Sequence, residues 1–377
     1  MRLLTDYTLA VLRVSEPDLS ELERDALIRA FDSTFISGVG EFVDECEKLI
    51  AKATGASHAL VTCNGTASLH LALLALGIGP GDEVIVPSFT YIASVNAILY
   101  VGATPVFVDS SLDTWTIQPD ALPGSLSPRT KAIMGVHLYG HPFDYLSLSG
   151  FAKEHGLKLI EDAAEAPFSK SHGTRAGNMG DVASFSFFGN KVLTAGEGGA
   201  VTTNDSELFE KMKIIRNQGM DPRERFNHIM IGNNFRLNNL SAAILSAQLR
   251  RRSELLSKRQ AISNAYQESL SDVDGISFQP ISEWATWTPW LFSIILNPRA
   301  NKSVNEVATH LWSNGIETRP FFKPAHLMTP YRNFPGSQNE LPNAVKLASG
   351  GMNLPTSSLM NENEVFRVAE LVSELLR

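Results

Sequence analysis

Between about residue 57 and residue 205, short strand-like runs alternate with longer helical patterns. The runs "ASHALVTCNG", "DEVIVPS", "TPVFVD", "KAIMGVHL", "LKLIED" and "VASFSFF" are typical of buried strands, and "TASLHLALLALGI", "YIASVNAILYVG" and "YLSLSGFAKEHG" are typical of helices. Parallel strands need long connections, which are usually helices. The alternation therefore predicts an α/β fold with a mainly parallel sheet.

The pattern changes at "NNFRLNNLSAAILSAQLRRRSELLSKRQAISNAYQESL", which predicts a long amphipathic helix that connects two domains. Beyond it, the strand-like "GISFQP", "WLFSIIL" and "IETRPFF" alternate with the helical "VNEVATHLWSNG" and "NENEVFRVAELVSELLR". We expect a large domain over residues 1–250, whose N-terminal segment can pack on the small domain. The small α/β domain is expected over residues 251–377.

Composition narrows the class of protein. Hydrophobic residues make up 44% of the chain and charged residues 19%, which is typical of a soluble globular protein. The net charge of −8 argues against a nucleic-acid surface but allows a local basic pocket. The longest apolar stretch, "LHLALLALGIG", is too short to span a membrane. The two cysteines imply no disulfide framework and favour a reducing cytoplasm.

One lysine follows an apolar strand in "SFSFFGNKVLTAGEGGAVTTND". Sites in open α/β sheets gather at the carboxyl ends of the strands, where Lys191 falls. Lys191 is then either an ordinary loop lysine in solvent or an amine held for covalent chemistry. Only the surrounding residues can decide between the two.

Three other features, one turn and two side chains, are also ambiguous when taken alone. Gly65 and Thr66 open a helix directly after a strand, so their turn either binds a phosphate or is an ordinary helix cap. Asp162 ends a strand in "LIEDAAEA" and either caps a following helix or pairs with a cationic heterocycle nitrogen. Tyr91, in "PSFTYIAS", either stacks on a flat cofactor or belongs to the core.

Three further patterns carry no site. "GIGPGD" has dinucleotide-type glycines but follows a helix and precedes a strand, the reverse of the required context. His137 and His141 in "HLYGHP" have the spacing of a helical metal pair, but they follow a strand and enclose a glycine. We therefore expect no metal. Cys63 has no neighbouring base and is expected to be an inert thiol.

The ambiguous positions share one sheet edge, and together they match one cofactor. Pyridoxal 5′-phosphate requires a lysine for its aldehyde, a carboxylate for its ring nitrogen, backbone donors for its phosphate and an aromatic ring to stack on it. The conjunction of all four is much more specific than any member. The sequence therefore predicts a pyridoxal-phosphate site.

Nearly the whole chain resembles the sugar-nucleotide aminotransferases of fold type I. The likeness lies in "FISGVGEFVDECEKLIAKATGASHAL", "NGTASLHLALLALGIGPGDEVIVPSFTYIAS", "GATPVFVD", "VHLYGHPFD", "IEDAAEA", "GDVASFSFFGNKVLTAGEGGAVTTND", "GNNFRLNNLSAA" and "GIETRPFF". The resemblance implies that Lys191 forms the Schiff base with the cofactor. It also implies that Asp162 partners the pyridinium nitrogen and that Tyr91 stacks on the ring.

The same resemblance assigns further positions. Gly65, Thr66 and Ser186 fall at phosphate-binding positions, and Glu165 falls close to the phenolic oxygen of the cofactor. Asn234, in "GNNFRL", matches an asparagine that reaches the phosphate from a neighbouring subunit, so a homodimer with shared active sites is implied.

The implied reaction converts a keto-sugar nucleotide into an amino sugar with L-glutamate as donor, and GDP-4-keto-6-deoxymannose is the favoured acceptor. Alternatives are a dTDP- or UDP-linked acceptor, a same-fold sugar dehydratase and a non-catalytic regulator. The related dehydratases carry histidine in place of Lys191. Asn233, "APFSKS" and Cys63 depart from the family pattern, and we expect the first two to alter the sugar pocket.

Overall fold

In the computed structural model, which describes residues 11–376, the alternating region forms a seven-stranded sheet. Residues 1–10 and 377, which the expected domain ranges include, lie outside the described part. The strands are β1 (His58–Thr62), β2 (Glu83–Pro87), β3 (Thr104–Val108), β4 (Thr130–Val136), β5 (Lys158–Asp162), β6 (Lys170–Ser171), β7 (Thr174–Arg175), β8 (Val182–Ser186), β9 (Gly199–Thr203), β10 (Ile276–Phe278), β11 (Ala285–Thr286), β12 (Phe292–Leu296), β13 (Arg319–Pro320) and β14 (Gly351–Leu354).

The helices lie between these strands and at both ends of the described chain. They are α1 (Glu21–Asp32), α2 (Glu41–Thr54), α3 (Gly65–Leu76), α4 (Ala93–Tyr100), α5 (Tyr145–Glu154), α6 (Ser206–Arg216), α7 (Asn239–Leu270), α8 (Val304–Ser313), α9 (Pro342–Gly350) and α10 (Glu362–Leu376). In the described part, no helix is both long enough and apolar enough to cross a membrane.

The large sheet is mainly parallel, as the alternation predicts. Its order is β1-β9-β8-β5-β4-β2-β3, and only β9 runs against its neighbours. Both faces are buried. Val84 and Val86 face one apolar cluster with α3 and α4, while Ile85 between them faces a second cluster with α2 and α5. Because four parallel strands, β2, β4, β5 and β8, end at the same edge, their following loops meet there.

The C-terminal part contains a four-stranded antiparallel sheet of order β10-β12-β14-β13, covered by α8 and α10. The backbone near the start of the described chain lies against this part: Leu12 bridges to Ile316, and the Val14 N–H donates to Glu317 at 3.1 Å. The short strands β6, β7 and β11 form a third, three-stranded sheet.

Helix α7 links the two larger sheets. Its first half buries Leu245 and Leu249 in the second cluster of the large sheet, and its second half buries Ile262 and Tyr266 in the core of the small sheet. The six residues at the start of the predicted helix are not helical. Asn238 is the last residue of that non-helical segment. Its side chain accepts a hydrogen bond from the Ser241 N–H at 2.8 Å and so caps the start of the helix. The division at residue 250 stays a prediction.

Candidate active site

A cavity of about 510 Å³ opens at the edge of the large sheet where the parallel strands end. The loop after β2, the last residues of β4, β5 and β8, and the start of α3 all line it. Seven of the eight predicted site residues are among the lining residues: Gly65, Thr66, Tyr91, Asp162, Glu165, Ser186 and Lys191. The structure therefore brings together residues that are more than 120 positions apart in the sequence.

Lys191 lies in the loop between β8 and β9 and points into this cavity. Its side chain is 12% exposed, and its Nζ lies 3.9 Å from Oε1 of Glu165 and 3.7 Å from the ring centroid of Trp290. Burial lowers the pKa of the Lys191 amine, and the nearby Glu165 and Asp162 only partly offset this effect. The interpretation of Lys191 as a solvent-exposed loop lysine is therefore wrong.

Asp162 is the last residue of β5 and is 5% exposed. Ser94 Oγ donates to its Oδ2 at 2.7 Å, and the Ala164 N–H donates to its Oδ1 at 3.2 Å. No helix follows in the chain before β6, so the interpretation of Asp162 as a helix cap is wrong. The carboxylate is instead held in place at the wall of the cavity.

The start of α3 is suited to an anion. Asn64, not Thr66, caps the helix, since its side chain accepts from the Ala67 N–H at 2.8 Å. In the described part of the chain, the Gly65 and Thr66 N–H groups have no acceptor. A side chain at Gly65 would place its Cβ 2.9 Å from the Ser186 Cβ, so only glycine fits this cradle. Free N–H groups at a positive helix end fit a phosphate.

Tyr91 stands at the mouth of the cavity. Its side chain is 56% exposed, and its ring centroid lies 5.5 Å from that of Phe322, with the two planes tilted by 55°. A core tyrosine would be covered, so the core interpretation of Tyr91 is wrong. The exposed ring leaves one face free for a flat ligand.

Glu165 is 3% exposed, and its Oε2 accepts the Tyr139 N–H at 3.1 Å. Burial raises the pKa of the Glu165 carboxyl to about 7, while the neighbouring Lys191 acts in the opposite direction. A carboxyl with this pKa exchanges its proton near neutral pH.

Sequence reasoning missed the residues that the C-terminal part contributes. Trp290, Arg319, Phe322 and Asn353 also line the cavity. Arg319 makes no ion pair with another residue of the described chain, so its guanidinium is available to an anionic ligand. The signals that could have found Trp290, Arg319 and Phe322 are the aromatic cluster "EWATWTPW" and the segment "GIETRPFF".

Asn234 does not line the cavity of its own chain. Its Oδ1 accepts from Arg236 Nε at 2.9 Å, and its backbone pairs with Asn217. Its predicted contact with the phosphate of a neighbouring subunit stays a prediction.

The two histidines of "HLYGHP" form hydrogen bonds with other groups of the protein. His137 is fully buried, its Nε2 lies 3.2 Å from Glu161 Oε2, and its Nδ1 accepts the Phe143 N–H. Burial lowers the pKa of His141 to about 4. Among residues 11–376, no group of three or more His, Cys, Asp or Glu side chains could hold a metal ion.

Cys63 lies beside the cavity without lining it. Burial raises the pKa of its thiol, which favours the protonated, unreactive form.

Comparisons with known proteins find relatives over nearly the whole chain. The model of the DegT/DnrJ/EryC1/StrS aminotransferase family matches residues 17–373. GDP-perosamine synthase of Caulobacter vibrioides is 42% identical over 366 residues, which cover 97% of this chain and 98% of the relative. The enzyme of the same name from Escherichia coli O157:H7 is 40% identical over 361 residues, 96% of this chain and 97% of the relative.

Relatives named for other sugar nucleotides are also similar. UDP-N-acetyl-3-dehydro-alpha-D-glucosamine 3-aminotransferase of Acidithiobacillus ferrooxidans is 35% identical over 354 residues, 90% of this chain and 93% of the relative. Among solved structures, S. venezuelae DesV, determined in complex with a ketimine intermediate, superposes with a TM-score of 0.88 at 35% identity. That match covers 94% of each chain.

Proposed function

Because the chain belongs to the DegT/DnrJ/EryC1/StrS aminotransferase family, we propose that it transfers the amino group of L-glutamate to GDP-4-keto-6-deoxymannose, forming GDP-perosamine. The fold is that of the fold type I enzymes, and the chain is a pyridoxal-phosphate-dependent sugar-nucleotide aminotransferase. One observation carries the proposal: the buried amine of Lys191, the carboxylate of Asp162 and the free end of α3 line one cavity.

The residues present fit pyridoxal phosphate. The cradle of Gly65, Thr66 and Ser186 would hold the phosphate, Asp162 would face the ring nitrogen, and Tyr91 would cover a face of the ring. Lys191 would carry the cofactor covalently. When bound, this cofactor stabilises the negative charge that develops on the substrate carbon, because its protonated ring accepts electrons.

The protein supplies proton control. Asp162 would keep the ring nitrogen protonated, since a fixed anion favours the charged form of its partner. Lys191, once its amine is free, would take a proton from the substrate carbon and release it again as a general base and acid. The lowered pKa of the amine serves this role, because more of it is unprotonated near neutral pH. Glu165 has a pKa of about 7, and its carboxyl lies 3.9 Å from the Lys191 amine. It can therefore exchange a proton with that amine.

Substrates of this reaction are anionic, and the cavity offers a cation for them. Arg319 lines the cavity beside Lys191 and carries no ion-pair partner among residues 11–376. The α-carboxylate and the reacting amine of glutamate are bonded to the same carbon, so this carboxylate must lie near Lys191. We assign Arg319 to this carboxylate, because a guanidinium binds carboxylates in a bidentate geometry.

We further propose a homodimer with shared sites, located in the cytoplasm. Phe35 and Val39 are each 61% exposed, and Ile231 is 96% exposed. The segment of Phe35 and Val39 lies against the chain that follows Asn234, since the Asn239 side chain donates to the Phe35 carbonyl at 2.7 Å. Such exposed apolar surface favours a partner, and a second copy would bring its Asn234 along. The two cysteines, both free, support a reducing compartment.

The test is a panel assay with purified protein, L-glutamate and keto-sugar nucleotides linked to GDP, dTDP or UDP. We expect the highest kcat/KM with GDP-4-keto-6-deoxymannose and a product with the mass of GDP-perosamine. A preference for a UDP-linked substrate would instead favour the activity named for the Acidithiobacillus relative. Reduction with borohydride should bleach the visible absorption and fix the cofactor on the peptide that contains Lys191.

A further inference from the structure

Arg259, on helix α7, is buried outside the cavity and has no counter-charge in contact. Its side chain is 1% exposed and forms no ion pair with another residue of the range 11–376. Removing a guanidinium from water in this way is unfavourable, and burial lowers the pKa of Arg259 to about 10. An apolar side chain would be more favourable at this position if packing were all that mattered. The hydrogen bonds of Arg259 therefore need an explanation.

Those hydrogen bonds run to two segments that are distant in the sequence. Nη1 of Arg259 donates to the backbone carbonyl of Trp290, and Nη2 donates to Ser15 Oγ at 2.9 Å. Arg259 thus binds the loop before β12 with one end of its fork and the N-terminal segment with the other. Its Nε has no hydrogen-bond partner in the described chain, so the Arg259 guanidinium donates to these two acceptors alone.

Both segments also donate hydrogen bonds to one and the same carbonyl group. Ser15 Oγ donates to the Asn190 carbonyl at 3.0 Å, and Trp290 Nε1 donates to the same carbonyl at 2.8 Å. Asn190 directly precedes Lys191, and the Lys191 N–H closes a turn on the Phe188 carbonyl at 2.9 Å. The two donors therefore fix the peptide unit from which Lys191 extends.

We propose that Arg259 is a positioning residue that, through Ser15 and Trp290, fixes the backbone and the amine of Lys191 for reaction. This inference rests on the proposed role of Lys191 as the reactive amine. A charged donor forms stronger hydrogen bonds than a neutral one, and bonds in a chain polarise one another. Arg259 therefore makes Ser15 a stronger donor toward the Asn190 carbonyl. It also binds the backbone of Trp290, the residue whose ring centroid lies 3.7 Å from Lys191 Nζ.

The consequence for the kinetics is specific. Neither Arg259 nor Ser15 lines the cavity, so neither contacts a substrate. A displacement of a reacting group by about 1 Å costs about a hundredfold in rate. Loss of Arg259 should therefore lower kcat in both half-reactions while the KM values for glutamate and for the sugar nucleotide stay unchanged.

The experiment compares the wild-type enzyme with Arg259→Met and with Arg251→Met as a matched control. Arg251 lies on the same helix and is also largely buried, but its ion pairs are with Asp18, Glu23 and Glu254. We expect Arg259→Met to lower kcat by about tenfold to a hundredfold. In the apoprotein it should speed amide hydrogen exchange in the peptide 187–195 and slow the covalent capture of added pyridoxal phosphate. Arg251→Met should change only the thermal midpoint.

Two smaller changes test the same network if Arg259→Met does not fold. Ser15→Ala removes one donor to the Asn190 carbonyl, and Trp290→Phe removes the other but keeps an aromatic ring. Each should speed exchange in 187–195, and the effect of Ser15→Ala should shrink in an Arg259→Lys background, because coupled residues are not additive.

Unchanged exchange in 187–195 for the folded Arg259→Met, or for both smaller variants, would overturn the role of Arg259. Equal kinetic losses in Arg251→Met and Arg259→Met would overturn it as well. The proposed function fails separately, if borohydride does not fix the cofactor on Lys191 of the wild-type protein. In that case the exchange measurements still decide whether Arg259 orders this loop.

Discussion

Lys191 Nζ lies 3.9 Å from Oε1 of Glu165, and the two side chains are buried together at the carboxyl edge of the large sheet. Burial acts on both groups in the same sense, since it disfavours each charged form. It raises the pKa of Glu165 to about 7 and lowers the pKa of Lys191. Glu165 therefore changes its protonation near neutral pH, where the proposed reaction needs proton transfer, and the Lys191 amine loses its proton more readily than an exposed lysine.

The Glu165 carboxyl should make the stability of the apoprotein depend on pH. Its pKa is about 7 in the folded protein against an ordinary value of 4.5, so the folded state binds the extra proton between these values. Its contribution is complete below pH 4.5 and is lost as the pH rises through about 7. Urea unfolding of the apoprotein from pH 5 to pH 8 should show that the free-energy advantage of wild type over Glu165→Gln declines across this range. A constant difference would contradict the raised pKa, and the exposed Glu154→Gln serves as control.

Lys191→Ala should abolish transamination, because the chain would lose both the covalent link to the cofactor and the proton carrier. Cofactor binding should persist in part through the cradle at Gly65 and Ser186. Activity, and the absorption of the bound cofactor after dialysis, are the measurements, with Lys213→Ala, at a partly exposed position outside the cavity, as control. Normal turnover by Lys191→Ala would refute its assigned role.

Asp162→Asn should lower the rate by about a hundredfold or more, the size of effect seen when a preorganised electrostatic partner is removed. The amide keeps the shape but removes the charge that holds the ring nitrogen protonated. Single-turnover rates with glutamate measure the loss. Asp181→Asn is the control, since Asp181 also accepts a backbone N–H but lies outside the cavity. Wild-type rates in Asp162→Asn would show that the carboxylate only orders its own loop.

Arg319→Gln should raise the KM for L-glutamate by about tenfold or more, because a hydrogen bond to a charged group contributes about 1.5–3 kcal/mol. The KM for the sugar nucleotide should change less. Initial rates with each substrate varied in turn separate the two, and Arg332→Gln, at an exposed position, is the control. A larger effect on the sugar nucleotide would place its phosphates, rather than the carboxylate, at Arg319.

Subunit mixing tests whether Asn234 acts across a dimer interface. Inactive Lys191→Ala and inactive Asn234→Ala chains, mixed under conditions that exchange subunits, should regain activity, since one of the two sites then has both wild-type groups. Mass measurement under native conditions must show the mixed dimer, and the exposed Asn227→Ala should be active by itself. No recovery in a proven mixed dimer would mean that Asn234 serves its own chain.

Much of the site could be predicted from the sequence because several of its residues follow the same local pattern, a polar residue at the end of an apolar strand. Asp162, Ser186 and the segment of Tyr91 each lie at or just after the end of a strand whose apolar run is visible in the sequence. Parallel strands connected by helices must end at the same edge, so local patterns were enough to bring these residues together.

Elements with weak local patterns were missed. Strands β9 (Gly199–Thr203) and β14 (Gly351–Leu354) are short and begin with glycine, so their sequences indicate turns as much as strands. They are strands because neighbours from distant segments pair with them: β1 and β8 flank β9, and β12 and β13 flank β14. Local propensity could not supply that pairing.

The sequence by itself determined most of the alternation of strands and helices in the large sheet, the edge where the site lies and the chemical groups available there. The tertiary structure alone decided how buried each group is, and therefore the raised pKa of Glu165 and the lowered pKa of Lys191. It also decided that Arg319 faces the cavity and that Arg259 is bound to Ser15 and Trp290. These properties depend on contacts between segments far apart in the chain. Burial and desolvation are set by everything that surrounds a group in space, and no local pattern records them.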